Sequence, residues 1–244
     1  MNIFDRENEQ RVLRQRLGAR KPLLVHGPAG VGKTTLVQAV RRSEGAWLYS
    51  ADSRTINTVF RNIAEGLFVA RSERVRRVCG KPGVEALSAK SAVSLKGIVL
   101  DALREGQYLV ILDHIHRPPS SFGAAIREVL GWGGTPVVTL ARSEHMEDIG
   151  TLFPFYGDRA DRLVIKNFDD ETAFRFARHA VEEEEIKAAN TDELIDRVVK
   201  FSAGNPGAIK SMLVMAKSAK YRSQNHIKIT ALYLDFRLNW GGSV

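Results

Sequence analysis

An eight-residue segment near the N-terminus combines glycines, a lysine and a threonine at a spacing suited to phosphate binding. With the next threonine, it consists of Gly27, Pro28, Ala29, Gly30, Val31, Gly32, Lys33, Thr34 and Thr35. Glycines let successive backbone N–H groups point at an anion, and a following helix adds its positive N-terminal dipole. Lys33 would reach the β- and γ-phosphates, and Thr34 would offer its hydroxyl to Mg²⁺. The segment therefore predicts an ATP or GTP site, a P-loop, rather than a chance glycine-rich turn.

A magnesium carboxylate is expected at the end of a neighbouring buried strand. The run Leu109-Val110-Ile111-Leu112 is followed by Asp113 and is the most apolar strand candidate in the chain. Asp113 is our candidate for the acid that holds Mg²⁺ together with Thr34. The alternative is that Asp113 merely caps a turn or a helix.

Strand and helix patterns alternate over the first two thirds of the chain. Short apolar runs predict five strands, at Pro22–His26, Ala46–Ala51, Tyr108–Leu112, Pro136–Leu140 and Arg162–Ile165. Helical spacing lies between them, at Lys33–Arg42, Ile56–Phe68, Ser91–Arg104 and Phe122–Leu130. This alternation predicts an α/β P-loop NTPase core with a mainly parallel five-stranded sheet flanked by helices. Breakers at Gly80, Pro82 and Gly83 predict a loop or mobile insertion over Val78–Ala92.

After Phe168 the pattern becomes helical. Predicted helices cover Asp170–Glu185, Thr191–Ser202, Pro206–Ala219 and about Gln224–Leu238. We therefore predict two domains, an α/β core over residues 1–167 and a small all-helical lid over residues 168–244.

The order of these motifs resembles the AAA+ and STAND branch of P-loop ATPases, particularly initiator-type and transposition-regulator-type members. The resemblance covers about Phe4 to Ile209. Besides the P-loop and the Asp113 strand, it rests on three segments: Phe4-Asp5-Arg6-Glu7, Val138-Thr139-Leu140-Ala141-Arg142 and Gly204-Asn205-Pro206. It implies that Arg6 lies beside the adenine, that Arg142 follows a sensor 1 strand, and that Pro206 approaches the base from the lid. ATP and Mg²⁺ are the implied cofactors.

Two positions depart from the usual AAA+ pattern. His114 stands where a glutamate normally orients the attacking water, and an imidazole lacks the fixed negative charge of that group. We therefore expect slow hydrolysis or a base from elsewhere. Arg142 stands where AAA+ enzymes usually have a polar amide, and an arginine at this position resembles STAND proteins. Arg142 could stabilise γ-phosphate charge or be a surface arginine.

Oligomeric AAA+ proteins complete each site with an arginine from the adjacent subunit. Arg159 and Arg162 precede the last predicted core strand and are both candidates, with a slight preference for Arg159. Both could equally be ordinary solvated arginines.

Composition limits the function classes. The chain of 244 residues has one cysteine and no apolar run approaching the roughly 20 residues that cross a bilayer, so we expect a cytoplasmic protein without a membrane partner. The net charge is +8, and basic residues concentrate in Arg71–Lys96 and Lys217–Lys228. Such stretches suit DNA phosphates, although dispersed solubilising charge is the alternative.

These observations predict an ATPase that acts as an ATP-gated oligomeric switch, a homo-oligomer that engages double-stranded DNA through its basic surface. The alternative is a STAND-type signalling or defence switch that engages a protein partner without binding DNA. A metabolic kinase is disfavoured, because its substrate lid would be a short arginine-bearing insertion rather than a C-terminal helical segment.

Overall fold

A computed structural model describes residues 3–41, 46–132 and 134–240. The strands are β1 (Leu23–His26), β2 (Ala46–Ser50), β3 (Tyr108–Ile115), β4 (Val137–Ala141), β5 (Arg162–Val164), β6 (Arg222–Ser223) and β7 (His226–Ile227). The first helices are α1 (Glu7–Gly18), α2 (Lys33–Arg41), α3 (Ile56–Val69), α4 (Glu73–Cys79), α5 (Ala92–Arg104) and α6 (Ser120–Trp132). The others are α7 (Met146–Ile149), α8 (Asp170–Glu183), α9 (Thr191–Ser202), α10 (Pro206–Ala216) and α11 (Ile229–Trp240).

Five strands form one parallel sheet in the order β2-β3-β4-β1-β5. The central strands are buried on both faces, since Leu23, Leu24 and Val25 in β1 and all of β4 are inaccessible to solvent. Such continuous apolar strands suit a parallel sheet that helices cover on both sides. The predicted fold class is confirmed. Because strands are parallel, the segments after β1, β2, β3 and β4 all emerge at the same sheet edge.

The chain divides into two compact units. One comprises Met1–Gly27 and Lys33–Ile165, and the other comprises Pro28–Gly32 and Lys166–Val244. The larger unit contains the sheet with α1 to α7. In the smaller unit, α8 to α11 pack around a core that includes Leu194, Met212 and Leu232. The predicted boundary at Asn167 lies two residues beyond Ile165, where the larger unit ends.

Some local predictions were wrong. The helix predicted over about Gln224–Leu238 begins only at Ile229, because β6 and β7 form an antiparallel hairpin whose turn places Gln224 at φ 54°. The predicted loop Val78–Ala92 contains a 3₁₀ helix, Gly83–Leu87, whose Leu87 is fully buried and anchors it to the core. Helices α1 and α4 were not predicted. Arg42, the predicted end of α2, lies outside the described residues.

None of the helices within the described ranges is both long enough and apolar enough to span a membrane.

Candidate functional site: a phosphate-binding loop and its carboxylate

The loop between β1 and α2 has the backbone geometry that anion binding requires. Gly27, Gly30 and Gly32 have φ values of 154°, 76° and 96°, a range that side chains rarely tolerate. The loop ends at Lys33, the first residue of α2, so the helix dipole favours an anion there. These residues fit a nucleotide phosphate group.

Lys33 folds back onto the loop that precedes it. Its Nζ donates a hydrogen bond of 2.7 Å to the carbonyl oxygen of Gly27. Burial lowers the pKa of Lys33 to about 8; the charge of Asp113 opposes this change, and the charge of Arg142 adds to it. The ammonium is thus partly desolvated. A phosphate anion at the loop would stabilise its charged form.

Thr34 and Asp113 meet at the sheet edge. The hydroxyl of Thr34 donates to Asp113 Oδ2 over 2.7 Å, and the backbone N–H of His114 donates to Oδ1 over 2.7 Å. Asp113 is only 2% exposed, so this carboxylate is a buried acceptor held by its neighbours. A hydroxyl and a carboxylate are hard oxygen donors, and both fit a Mg²⁺ ion that also takes phosphate and water ligands.

The residue after Asp113 interrupts the regular strand. The register between β3 and β4 shifts between Leu112 and Ile115, and His114 adopts a left-handed backbone with φ 55°. This β-bulge exposes the imidazole of His114, whereas its neighbours Asp113 and Ile115 are buried. Hydrogen bonds from Arg54 are the main cause of the lowered pKa of Asp52, which falls to about 2, and His114 makes a smaller contribution.

The segment after β4 carries a separate cluster. Glu144 Oε2 lies 2.9 Å from Arg162 Nη1 and 3.8 Å from His26 Nε2. Arg162 Nε also donates to the carbonyl of Tyr156 over 2.7 Å, so Nε and Nη1 of its guanidinium both form hydrogen bonds within the chain. Arg142 is exposed, and its charge acts on Lys33 as noted above.

The tip of the loop is held within the smaller unit. Asn205 Nδ2 donates to the carbonyl of Ala29 over 2.9 Å, and the N–H of Gly207 donates to the carbonyl of Gly30 over 2.9 Å. Asn205 Oδ1 also caps α10 by accepting from Ala208 N. Pro206 occupies the first turn of α10, where its missing N–H costs nothing.

A family model supports this interpretation of the loop. Residues 2–135, more than half of the chain, match the model described as the AAA ATPase domain. The chain belongs to the AAA ATPase domain family. The predicted resemblance to AAA+ and STAND-type P-loop ATPases is confirmed. Among proteins with curated descriptions, none matches this AAA ATPase chain.

Solved structures share the fold of this AAA ATPase at low identity. The Walker-type ATPase paby2304 of Pyrococcus abyssi is 20% identical with a TM-score of 0.58, covering 87% of this chain and 67% of that one. The Aeropyrum pernix Orc1 protein in complex with DNA is 15% identical with a TM-score of 0.61, covering 98% and 66%. The STAND protein PH0952 of Pyrococcus horikoshii, with a tetratricopeptide repeat sensor, is 15% identical with a TM-score of 0.51, covering 97% and 32%. The chain thus spans about two thirds of the first two and about a third of the third.

Three predicted site residues of this AAA ATPase, all arginines, differ from one another in exposure and in ion pairing. Arg6 is 6% exposed and pairs with Glu9 at 2.6 Å within the first turn of α1. Arg162 is engaged as described above. Arg159 is exposed in a 3₁₀ turn (Arg159–Asp161) and, within the described ranges, forms no ion pair. Arg159 is thus the more exposed of the two arginines.

Sequence reasoning missed two contacting residues: Tyr49, which contacts Asp113 of the candidate site, and Gly207, which contacts Gly30 within the smaller unit. The Tyr49 hydroxyl donates to Asp113 Oδ2 over 2.5 Å. The pairing of β2 with β3 creates this contact, and the local sequence pattern does not predict which strands are neighbours in the sheet. Gly207 follows the Gly204-Asn205-Pro206 segment directly, so a second glycine beside that motif was an available signal.

Proposed function

We propose that this AAA ATPase domain binds ATP with Mg²⁺, hydrolyses it slowly, and works as an ATP-gated oligomeric switch that engages double-stranded DNA. The observation that carries the nucleotide part is the Thr34–Asp113 hydrogen bond beside a desolvated Lys33. When bound, Mg²⁺ would neutralise phosphate charge at the hydroxyl of Thr34 and the carboxylate of Asp113. Lys33 would orient the phosphates, and Gly27–Thr35 would surround them with backbone donors.

Slow hydrolysis is proposed from the residue that follows Asp113. His114 lacks a fixed negative charge and lies on a β-bulge, so a water-orienting carboxylate is missing at this position. Arg142 is proposed to stabilise γ-phosphate charge, because its own charge already acts on Lys33.

Asp113→Asn is the direct test of the enzymatic part. We expect Mg²⁺-dependent release of phosphate to fall below detection, while ATP binding in EDTA stays within about twofold, because asparagine keeps the shape but not the charge. If Asp113→Asn hydrolyses ATP at the wild-type rate, the proposed metal site is refuted.

Uncompensated charge in Arg71–Lys96 supports DNA as the partner. Part of this stretch is neutralised by the protein, since Arg74 pairs with Asp101 and Glu105 and Lys96 pairs with Glu128. Arg71, Arg77 and Lys81 are exposed and, in the part of the chain that is described, form no ion pair. Exposed arginine and lysine on one segment suit contacts with DNA phosphates. A solved protein of this fold also holds DNA.

The second basic stretch, Lys217–Lys228, contributes less free charge. Lys217 pairs with Glu184 at 2.9 Å and Lys220 with Asp235 at 2.5 Å. We therefore place the main DNA contact of the proposal in residues 71–81.

The DNA proposal is tested by titrating duplex DNA with ATP, with ADP and without nucleotide, at two salt concentrations. We expect binding to strengthen with ATP and to weaken steeply with salt. The triple variant Arg71→Gln, Arg77→Gln, Lys81→Gln should reduce the salt slope by up to about 2.7 units if all three contact phosphates. The triple variant Arg11→Gln, Arg14→Gln, Lys21→Gln removes the same charge from other exposed positions and is the matched control. Equal losses in both triples, or binding indifferent to nucleotide and salt, would overturn the proposal.

Exposed apolar side chains on α11 favour the second candidate, a STAND-type switch with a protein partner. Leu234 and Leu238, one helical turn apart, are 57% and 79% exposed. Size measurement of wild type and of Leu234→Gln, Leu238→Gln with ATP and with ADP tests this. ATP-driven assembly that the double variant abolishes, without any DNA binding by wild type, would favour this candidate.

A further inference from the structure

The hydroxyl of Tyr49 shares one carboxylate oxygen with the hydroxyl of Thr34. Tyr49 donates to Asp113 Oδ2 over 2.5 Å and Thr34 donates to the same atom over 2.7 Å. We propose that Tyr49 is a positioning residue for the magnesium site, which fixes the Asp113 carboxylate when Mg²⁺ arrives. This inference rests on the proposed nucleotide function.

The sheet brings the two side chains together. Strand β2 pairs in parallel with β3, and Tyr49 lies in register with Ile111. Asp113 follows Ile111 by two positions, and residues two apart on a strand share a face. Tyr49 therefore reaches Asp113 along the face of the sheet, from an adjacent strand that is rigidly paired over five positions.

The two hydroxyl donors differ in what they must do when a metal binds. A cation needs the lone pairs of Thr34 Oγ1, so the orientation of this hydroxyl must adapt to the metal. The phenol of Tyr49 has no such second task. The backbone N–H of His114 donates to Asp113 Oδ1, and the Tyr49 hydroxyl donates to Oδ2. Each oxygen of the carboxylate therefore accepts a hydrogen bond that fixes its orientation. Groups that orient a ligating carboxylate in this way tune metal affinity.

Tyr49 is also not a simple filler of the core. Its side chain is half-buried and borders an open groove beside β2, with the guanidinium of Arg41 5.9 Å from the ring centroid. Replacement by phenylalanine keeps the ring and removes the hydroxyl, which donates to Asp113 and also hydrogen-bonds with Gln38.

The test compares wild type, Tyr49→Phe and Tyr108→Phe. Tyr108 belongs to the same sheet, at the opposite end of β3 from Asp113, and serves as the hydroxyl-deletion control. ADP affinity is measured by calorimetry in EDTA and in Mg²⁺, together with the Mg²⁺ concentration that gives half-maximal ATP turnover. Thermal unfolding without ligand verifies that each variant is folded.

We expect Tyr49→Phe to raise the half-maximal Mg²⁺ concentration by on the order of tenfold and to reduce the Mg²⁺-dependent gain in ADP affinity similarly. ADP affinity in EDTA and turnover at saturating Mg²⁺ should change by no more than about twofold, and Tyr108→Phe should match wild type. Because Tyr49 acts through Asp113, Tyr49→Phe should add no further loss of Mg²⁺-dependent affinity in an Asp113→Asn background.

If a folded Tyr49→Phe variant has an unchanged Mg²⁺ dependence, the role of Tyr49 is refuted and the proposed nucleotide function is not affected. An equal loss in EDTA and in Mg²⁺ also refutes the positioning role, because the effect would then be structural. If wild type itself shows no Mg²⁺-dependent nucleotide binding, the proposed function fails, and this inference fails with it.

Discussion

Thr34 and Asp113 are separated by 79 positions in the chain, and the hydroxyl of one donates to the carboxylate of the other over 2.7 Å. One residue lies in the first turn of α2 and the other near the end of β3. The sheet therefore builds a hydroxyl–carboxylate pair at its edge, directly beside the loop that ends in Lys33. The predictions below follow from this arrangement.

Removal of the Lys33 ammonium should weaken nucleotide binding. We expect Lys33→Ala to lower ATP affinity by on the order of a hundredfold, from the typical strength of hydrogen bonds to charged groups. Calorimetric titration measures the change, and Lys21→Ala, an exposed lysine just before β1, is the control. Normal ATP hydrolysis by Lys33→Ala would refute the central assignment.

Nucleotide affinity should depend on pH through Lys33. Burial lowers the pKa of this lysine to about 8, so in the free protein its charge is largely present below that pH and is lost above it. Phosphate stabilises the charged form, so ADP affinity should be flat below about pH 8 and fall by up to about tenfold per pH unit above it. Lys33→Arg keeps its charge and should remove the slope. If the ADP affinity of wild type does not change up to about pH 9.5, the prediction is wrong.

A glutamate at position 114 should accelerate hydrolysis. His114→Glu would restore a fixed negative charge after Asp113, and we expect turnover to rise by about a hundredfold, the lower end of the range for a positioned base. Histidine tolerates a backbone at φ 55° better than glutamate does, so the free energy of unfolding should fall by up to about 1 kcal/mol. Single-turnover phosphate release is the measurement. His114→Gln, which matches glutamate in size, should not accelerate; an equal gain in both variants would exclude a base effect.

Replacement of Arg159 should affect turnover, whereas replacement of Arg162 should affect stability. We expect Arg159→Ala to lower turnover in the assembled protein with ATP affinity unchanged, because an arginine supplied in trans stabilises charge during phosphoryl transfer. Arg162→Ala breaks the bonds to Glu144 and to the Tyr156 carbonyl, so it should lower the free energy of unfolding by about 1–3 kcal/mol. Turnover is measured across protein concentrations, and unfolding by denaturant. A fall in Arg159→Ala turnover that persists when the protein is monomeric would contradict the role in trans.

The glycine after Pro206 should not tolerate a side chain. A Cβ on Gly207 would lie 2.7 Å from the carbonyl oxygen of Gly30, a backbone atom that cannot rotate away. We expect Gly207→Ala to cost about 1–3 kcal/mol and to lower the melting temperature by several degrees. Gly97→Ala, on an exposed helical position with open space around it, should stabilise by about 0.5–1 kcal/mol. Equal melting temperatures for Gly207→Ala and wild type would show that the contact with Gly30 is dispensable.

The sequence by itself determined the phosphate-binding loop, the five parallel strands and the acid after the most apolar strand. These features depend on local rules: glycine's backbone freedom, the period of apolar residues, and the requirement that buried strands be apolar on both faces. The α10 helix with Asn205 and Pro206 at its start also follows from local capping preferences.

Only the tertiary structure decided which residues that are far apart in the chain contact each other. The strand order places β2 beside β3 and so gives Asp113 the hydroxyl of Tyr49. It likewise commits Arg162 to Glu144 and leaves Arg159 exposed, although both arginines look alike in the sequence. Such contacts depend on strand pairing and side-chain burial across many intervening residues, which no local pattern encodes.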